Sequence, residues 1–198
     1  MESLGQVFEF LESQTQSSPQ AAFSVVLLAT VTYLPLVYFD LKYRKLAYWH
    51  IASWVAVYFA AIASYYFLVD EPQFAASFLA SIPVWFALSY FCGEVNDEKY
   101  VGKADVDVAL SQLVVALLAF NHSSSDTEYV AHSLKCYAAS LFVGAVLAFL
   151  AWYVQVVSHK ISKKSEGSYA TTLPVLAMFS VLIPVNTYLA VSFVYINQ

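Results

Sequence analysis

The sequence predicts an all-α integral membrane protein, a bundle of about six transmembrane helices. Hydrophobic residues occupy 60% of the 198 positions and charged residues only 12%, whereas a soluble domain is nearer half apolar and a quarter charged. The apolar residues are also gathered into six long stretches, each close to the roughly 20 residues that a helix needs to cross a bilayer. We therefore expect residues 1–198 to form one membrane-embedded domain.

The six stretches predict helices, because they are too long and too uniformly apolar for the short alternating strands of membrane barrels. Helices also satisfy their own backbone hydrogen bonds inside lipid. The expected helices cover about 21–39, 48–69, 73–91, 104–120, 130–157 and 169–195. Residues 1–20 contain three glutamates and no lysine or arginine, which predicts a short interfacial segment and not a secretory signal.

The basic residues alternate between the connections of the predicted helices. The first, third and fifth connections contain eight of the nine lysines and arginines, and the second and fourth contain only acidic charges. The exception is Lys135, near the start of the fifth helix. Because basic loops stay in the cytoplasm, the odd-numbered connections should be cytoplasmic and both chain termini outside, as in a multi-pass protein of the cell membrane.

Cysteine labelling in intact cells checks this orientation, in a variant whose two native cysteines are replaced. A single cysteine within Asp70–Glu71 or Ser123–Ser125 should react with an impermeant reagent added outside, because the predicted topology exposes those connections. A cysteine near Lys163 should react only after the membrane is permeabilised. Labelling near Lys163 in intact cells would overturn the orientation.

Three aspartates fall at predicted cytoplasmic helix ends: Asp40 ends the first helix, and Asp105 and Asp107 open the fourth. A charge at the bilayer centre costs about 2.5–3.5 kcal/mol, and less near the interface. Taken singly, Asp40 is as readily the first residue of a wet loop, and Asp105 as readily a helix-capping carboxylate. Together, at matching depth, they predict a two-carboxylate site between the first and fourth helices.

The residues around both aspartates resemble the motifs of one enzyme family. Asp40–Leu46 reads Asp-Leu-Lys-Tyr-Arg-Lys-Leu and is similar to the Asp-Leu-Lys/Arg-x-Arg-x-Ile stretch of type IV prepilin peptidases. Gly102–Asp105 reads Gly-Lys-Ala-Asp and resembles their Gly-x-Gly-Asp motif. The archaeal preflagellin and prepilin peptidases are similar in allowing a small or hydrophobic residue before this aspartate. The spacing from Asp40 to Asp105 and the six helices also fit the family.

This resemblance implies a membrane aspartic endopeptidase with Asp40 and Asp105 as its catalytic pair. One carboxylate would activate water while the other, protonated, would polarise the scissile carbonyl. The implied substrate is a prepilin- or preflagellin-like precursor, whose short basic leader is removed at the cytoplasmic membrane face. No cofactor is implied, and no metal site is expected because the four histidines fall near different helix ends. The net charge of −5 gives no reason to expect nucleic acid as a partner.

Residues near the second motif are candidates for substrate binding. Gly102, Lys103 and Ala104 directly precede Asp105, and Gly102 would allow a close approach of the substrate backbone or a tight turn. The acidic residues of the third connection would attract a basic leader, with a simple solvated loop as the alternative. These acidic residues are Glu94, Asp97 and Glu98.

The chain departs from the family pattern at three points. Ala104 stands where the family has glycine, Asp107 where lysine is common, and Ala47–Tyr48 where Pro-Asn commonly follows the basic stretch. Asp105 and Asp107 point about 200° apart on a helix, so only one of them can face Asp40. The motif selects Asp105.

Two other classes of membrane protein share some of these features. Presenilin-like intramembrane aspartic proteases also resemble the chain at the Gly-x-Gly-Asp site, but they are longer and lack the Asp-Leu-Lys-x-Arg stretch. A small cation-coupled transporter would have its carboxylates near the bilayer midplane on broken helices, whereas Asp40 and Asp105 fall at one face. Both classes stay as alternatives.

Overall fold

The computed structural model describes residues 19–43, 46–95, 103–123, 127–162 and 174–192. In these ranges the chain forms six helices that are long and apolar enough to cross a membrane, which confirms the predicted all-α membrane class. The helices are α1 (Pro19–Tyr43), α2 (Tyr48–Leu68), α3 (Pro72–Val95), α4 (Lys103–His122), α5 (Thr127–Ser162) and α6 (Val175–Ser192). The predicted interfacial segment, apart from its last two residues, lies outside the described residues.

The end of α1 differs from the prediction. The helix continues to Tyr43, so Asp40 lies inside its last turn and not at its end. Lys42 favours the extra residues, because a cation at a helix C-terminus interacts well with the helix dipole. Its ammonium also donates a hydrogen bond to the Tyr38 hydroxyl one turn earlier, at 3.1 Å.

The start of α6 also differs from the prediction of residue 169. The described part of α6 begins at Val175, directly after Pro174. Pro174 lies just before the helix, and its carbonyl accepts a hydrogen bond from the Ala177 N–H at 3.0 Å. Residues 169–173 lie outside the described residues.

In the turn between α2 and α3, the chain leaves α2 through a residue with left-handed backbone conformation. Asp70 has φ of 60°, and its N–H donates to the Phe67 carbonyl while the Glu71 N–H donates to the Tyr66 carbonyl. This is the paired hydrogen-bond pattern that satisfies the last carbonyls of a helix. It lets α3 begin at once, at Pro72, where the missing N–H of proline costs nothing.

Helices α6 and α2 occupy the centre of the bundle. In their most apolar windows 61% and 56% of the residues are buried, against 17% in α5. α6 packs against α1, α2, α4 and α5, and α2 packs against α1, α3, α4 and α6. α5 is peripheral and has 36 residues, about 54 Å at 1.5 Å per residue. It exceeds the roughly 30 Å of a bilayer core, so it must tilt or extend beyond it.

One end of the bundle, which we call the basic end, contains Lys42 and Lys103. Contacts there join helices across the bundle. The Lys103 ammonium lies over the Tyr48 ring, 5.2 Å from its centroid, and the Gln155 side-chain amide donates to the Leu41 carbonyl at 3.2 Å. The described helix ends next to the first, third and fifth connections thus lie at one end of the bundle, as the charge alternation requires. Which end faces the cytoplasm stays a prediction.

α5 approaches α6 closely at Gly144, which is buried. A Cβ atom at this position would lie 2.4 Å from the Met178 carbonyl oxygen and 2.9 Å from the Met178 Cγ. The first of these atoms is backbone and cannot move without shifting α6. Small residues permit this kind of close approach between transmembrane helices, so Gly144 determines how tightly α5 packs.

Replacing Gly144 with alanine should therefore destabilise the α5–α6 contact. We expect a loss of about 1–3 kcal/mol, the usual cost of overpacking, measured as a lower thermal unfolding midpoint in detergent. The control is Ala145→Val, one position along at an exposed site, which should leave the midpoint nearly unchanged. A Gly144→Ala variant as stable as the wild type would contradict the described packing.

Candidate active site at the basic end

Asp40 lies on the inward side of α1, in its last turn, and is half-buried. Seven residues earlier on the same helix is Tyr33, which is fully buried. Seven residues make nearly two helical turns, so both side chains project from the same face of α1. This face is directed toward the bundle at the basic end.

Asp105 lies in the first turn of α4 and is also half-buried. The positive end of the helix dipole favours a carboxylate at this position. Asp105 and Asp40 both lie within electrostatic range of the Tyr33 hydroxyl. Both predicted catalytic residues therefore lie toward one end of the bundle, within electrostatic range of the same buried tyrosine.

Tyr33 is a site residue that the sequence reasoning missed. Its hydroxyl donates a hydrogen bond to the Leu176 carbonyl at 2.8 Å, and its ring packs against Trp54 with 5.1 Å between the centroids. Tyr33 thus connects α1 to α2 and to the first turn of α6. The spacing of seven residues from Asp40 was the available signal, since it places a polar hydroxyl on the carboxylate's own helix face.

The other predicted site residues are only partly within the described chain. Lys103 is exposed, and Ala104 is partly buried against the hydrophobic core. Gly102, Asp97 and Glu98 lie outside the described residues. Glu94 belongs to α3, but its side chain also lies outside the described part of the structure.

Asp107 faces a different neighbour from Asp105. Its side chain is 1% exposed and lies between α4 and α3, where the Ser89 hydroxyl is 2.5 Å from Asp107 Oδ1. The indole N–H of Trp85 donates to the Asp107 carbonyl at 3.1 Å. The structure therefore separates the two aspartates of α4, as their helical spacing requires: Asp105 lies near Tyr33 and Asp107 contacts α3.

A buried polar cluster near the middle of the bundle was also missed. The Asn186 amide donates to the Gln112 main-chain carbonyl at 2.9 Å and to the Gln112 side-chain oxygen at 3.1 Å. The Tyr58 hydroxyl lies 2.9 Å from the Thr187 hydroxyl. These contacts join α2, α4 and α6. An amide residue within an apolar stretch was the signal, because such residues in membranes usually bond to another helix.

Comparison of this chain with known proteins identified no relative. No family model, no curated protein and no solved structure matches this chain. Within the part of the chain that the structure describes, no group of three or more His, Cys, Asp or Glu residues is arranged to hold a metal ion. The features that indicate a function are therefore the two aspartate motifs and the residues near Tyr33.

Replacing Tyr33 with phenylalanine tests that arrangement. The ring contact with Trp54 is retained, but the hydrogen bond to Leu176 is lost, which should cost about 0.5–1.5 kcal/mol. Thermal unfolding in detergent should show the loss. Tyr90→Phe, at an exposed tyrosine of α3, is the control and should have little effect. Equal midpoints for wild type and Tyr33→Phe would contradict the proposed link between α1 and α6.

Proposed function

We propose that this protein is a membrane aspartic endopeptidase of the prepilin or preflagellin peptidase type, which removes a short basic leader at the cytoplasmic membrane face. One observation carries the proposal: Asp40 and Asp105 come from helices far apart in sequence, yet both lie within electrostatic range of the buried Tyr33 hydroxyl. Both also belong to stretches that resemble the two catalytic motifs of that family. Both carboxylates are half-buried. This supports a site that is only partly exposed to water and still open to substrate.

In the proposed reaction the two carboxyl groups share one proton, because two neighbouring carboxylates resist both being ionised. The ionised member takes a proton from a water molecule, whose oxygen attacks the scissile carbonyl carbon. The protonated member donates a hydrogen bond to the carbonyl oxygen as negative charge develops there. When the C–N bond breaks, a proton passes to the leaving amine and the pair returns to its shared-proton state.

The substrate's own chemistry fits the basic end of the bundle. A precursor of this class has a short basic leader followed by an apolar helix, so its cleavage site would lie at the membrane surface. The acidic residues Glu94, Asp97 and Glu98 precede α4 and would attract the leader. Lys103 already contacts the Tyr48 ring. We therefore infer that its main role is to hold the start of α4 next to α2, and not to bind the leader.

Cleavage of a pilin-like precursor by the purified protein tests the proposal. Asp40→Asn and Asp105→Asn should each abolish detectable cleavage while the variants still fold, because neither carboxyl alone supplies both acid and base. The changes Asp40→Glu and Asp105→Glu should each cost about 100-fold, since an added methylene displaces the carboxylate by about 1 Å. Chelators should have no effect. Full activity in either Asn variant would contradict the two-aspartate mechanism, as would zinc-restorable loss on chelation.

Asp107→Asn is the matched control, because it removes a carboxylate from the same turn of α4. Asp107 contacts Ser89 on α3 and not the Tyr33 hydroxyl, so this variant should retain substantial cleavage. If Asp107→Asn is inactive and Asp105→Asn is active, the catalytic residue of α4 is Asp107 and the motif has been aligned two positions too early.

A further inference from the structure

The carboxyl group of Asp107 has an environment that the proposed cleavage does not explain. The side chain is 1% exposed. Its Oδ1 has one close neighbour, the Ser89 hydroxyl at 2.5 Å, and its Oδ2 has no hydrogen-bond partner among the described residues. Ser89 itself is fully buried. An ionised carboxylate normally accepts several hydrogen bonds, and one left with a single neutral donor inside a membrane protein is strongly disfavoured.

The groups around Asp107 offer little to stabilise a negative charge. α3 contributes Ser89 and the Trp85 indole, whose N–H is already donated to the Asp107 main-chain carbonyl. α2 contributes the Tyr48 ring, which stacks on Trp85. On α4 itself, the exposed Lys103 interacts electrostatically with the carboxyl, but its ammonium lies over the Tyr48 ring. Further along α4 and α6, the buried Gln112 and Asn186 are uncharged amides that bond to each other.

We propose that Asp107 and Ser89 form a proton-binding site between α3 and α4, in which the carboxyl is held as the neutral acid at neutral pH. The Ser89 hydroxyl donates to Oδ1 at 2.5 Å, and the acid proton resides on Oδ2. Oδ2 then belongs to a neutral O–H group, which tolerates the absence of a partner far better than a charged carboxylate oxygen does. The proposal does not depend on the proposed peptidase function.

A bound proton at this site would make the packing of α3 on α4 depend on pH. The folded protein then binds a proton that the unfolded chain, with an ordinary aspartate, releases at neutral pH. The free energy of unfolding falls as pH rises, wherever the folded state holds more protons than the unfolded state. The unfolding equilibrium constant should therefore rise by up to tenfold per pH unit, from weakly acidic pH until Asp107 ionises in the folded protein.

Infrared spectroscopy of the full chain in lipid nanodiscs detects the proton directly. The wild-type spectrum at pH 7 should contain a carboxylic-acid C=O band that Asp107→Asn lacks. Ser89→Ala should shift this band to higher frequency, because the acid's carbonyl oxygen Oδ1 loses its hydrogen-bond donor. Ser81→Ala is the matched control at another buried serine of α3, which bonds to the Phe78 carbonyl, and should leave the band unchanged.

Two results would overturn the proposal. One is a wild-type spectrum from which Asp107→Asn removes only carboxylate bands, which means that Asp107 is ionised and paired with Lys103. The other is an acid band that Ser89→Ala does not shift. If Asp107→Asn fails to fold, the Ser89→Ala shift decides the question by itself. Thermal unfolding gives a second readout: the excess pH dependence of the wild type should be absent in Asp107→Asn.

Discussion

Polar groups in the apolar part of a membrane are stabilised by partners inside the protein, and in this chain α6 provides such partners for four other helices. The contacts join Tyr33 to Leu176, Tyr58 to Thr187, Tyr66 to Ala190, Gln112 to Asn186 and Tyr129 to Leu189. Three of them use a carbonyl of α6 as the acceptor for a tyrosine hydroxyl. They connect α6 to α1, α2, α4 and α5 along its whole length.

The candidate active site depends on this central helix. α1 and α4 both pack on α6, so the positions of Asp40 and Asp105 relative to each other are determined largely through it. Tyr33 connects the face of α1 that contains Asp40 to the first turn of α6. Gln112, two turns after Asp105, connects α4 to Asn186. The helices of the two carboxylates are thus each hydrogen-bonded to α6, at Tyr33 and at Gln112.

The sequence alone was sufficient to predict the features of the fold that depend on local composition. Apolar length predicts the existence and order of the helices, because a span of about 20 apolar residues is a local property. Charge in the connections likewise predicts which of them share an end. Asp40 and Asp105 could be selected because each is an acidic residue at the edge of an apolar stretch.

What the sequence did not predict depends on contacts between distant residues. The burial of Asp107 depends on Ser89 and Trp85, which belong to the preceding helix, and the local motif selects Asp105 without indicating which of the two aspartates is buried. The role of Tyr33 depends on a main-chain carbonyl of the last helix. The extension of α1 beyond position 39 includes the Lys42–Tyr38 contact, which the hydropathy of the segment does not indicate.

The pH dependence of kcat/KM for cleavage of a pilin-like precursor tests the central claim most directly. If Asp40 and Asp105 share one proton, the reactive protein has one ionised and one protonated carboxyl, and kcat/KM should follow a bell-shaped profile with two apparent pKa values that belong to the pair. The Asp107→Asn protein should give the same profile. A profile with a single ionisation, or the absence of cleavage at every pH at which the protein is folded, would contradict the account.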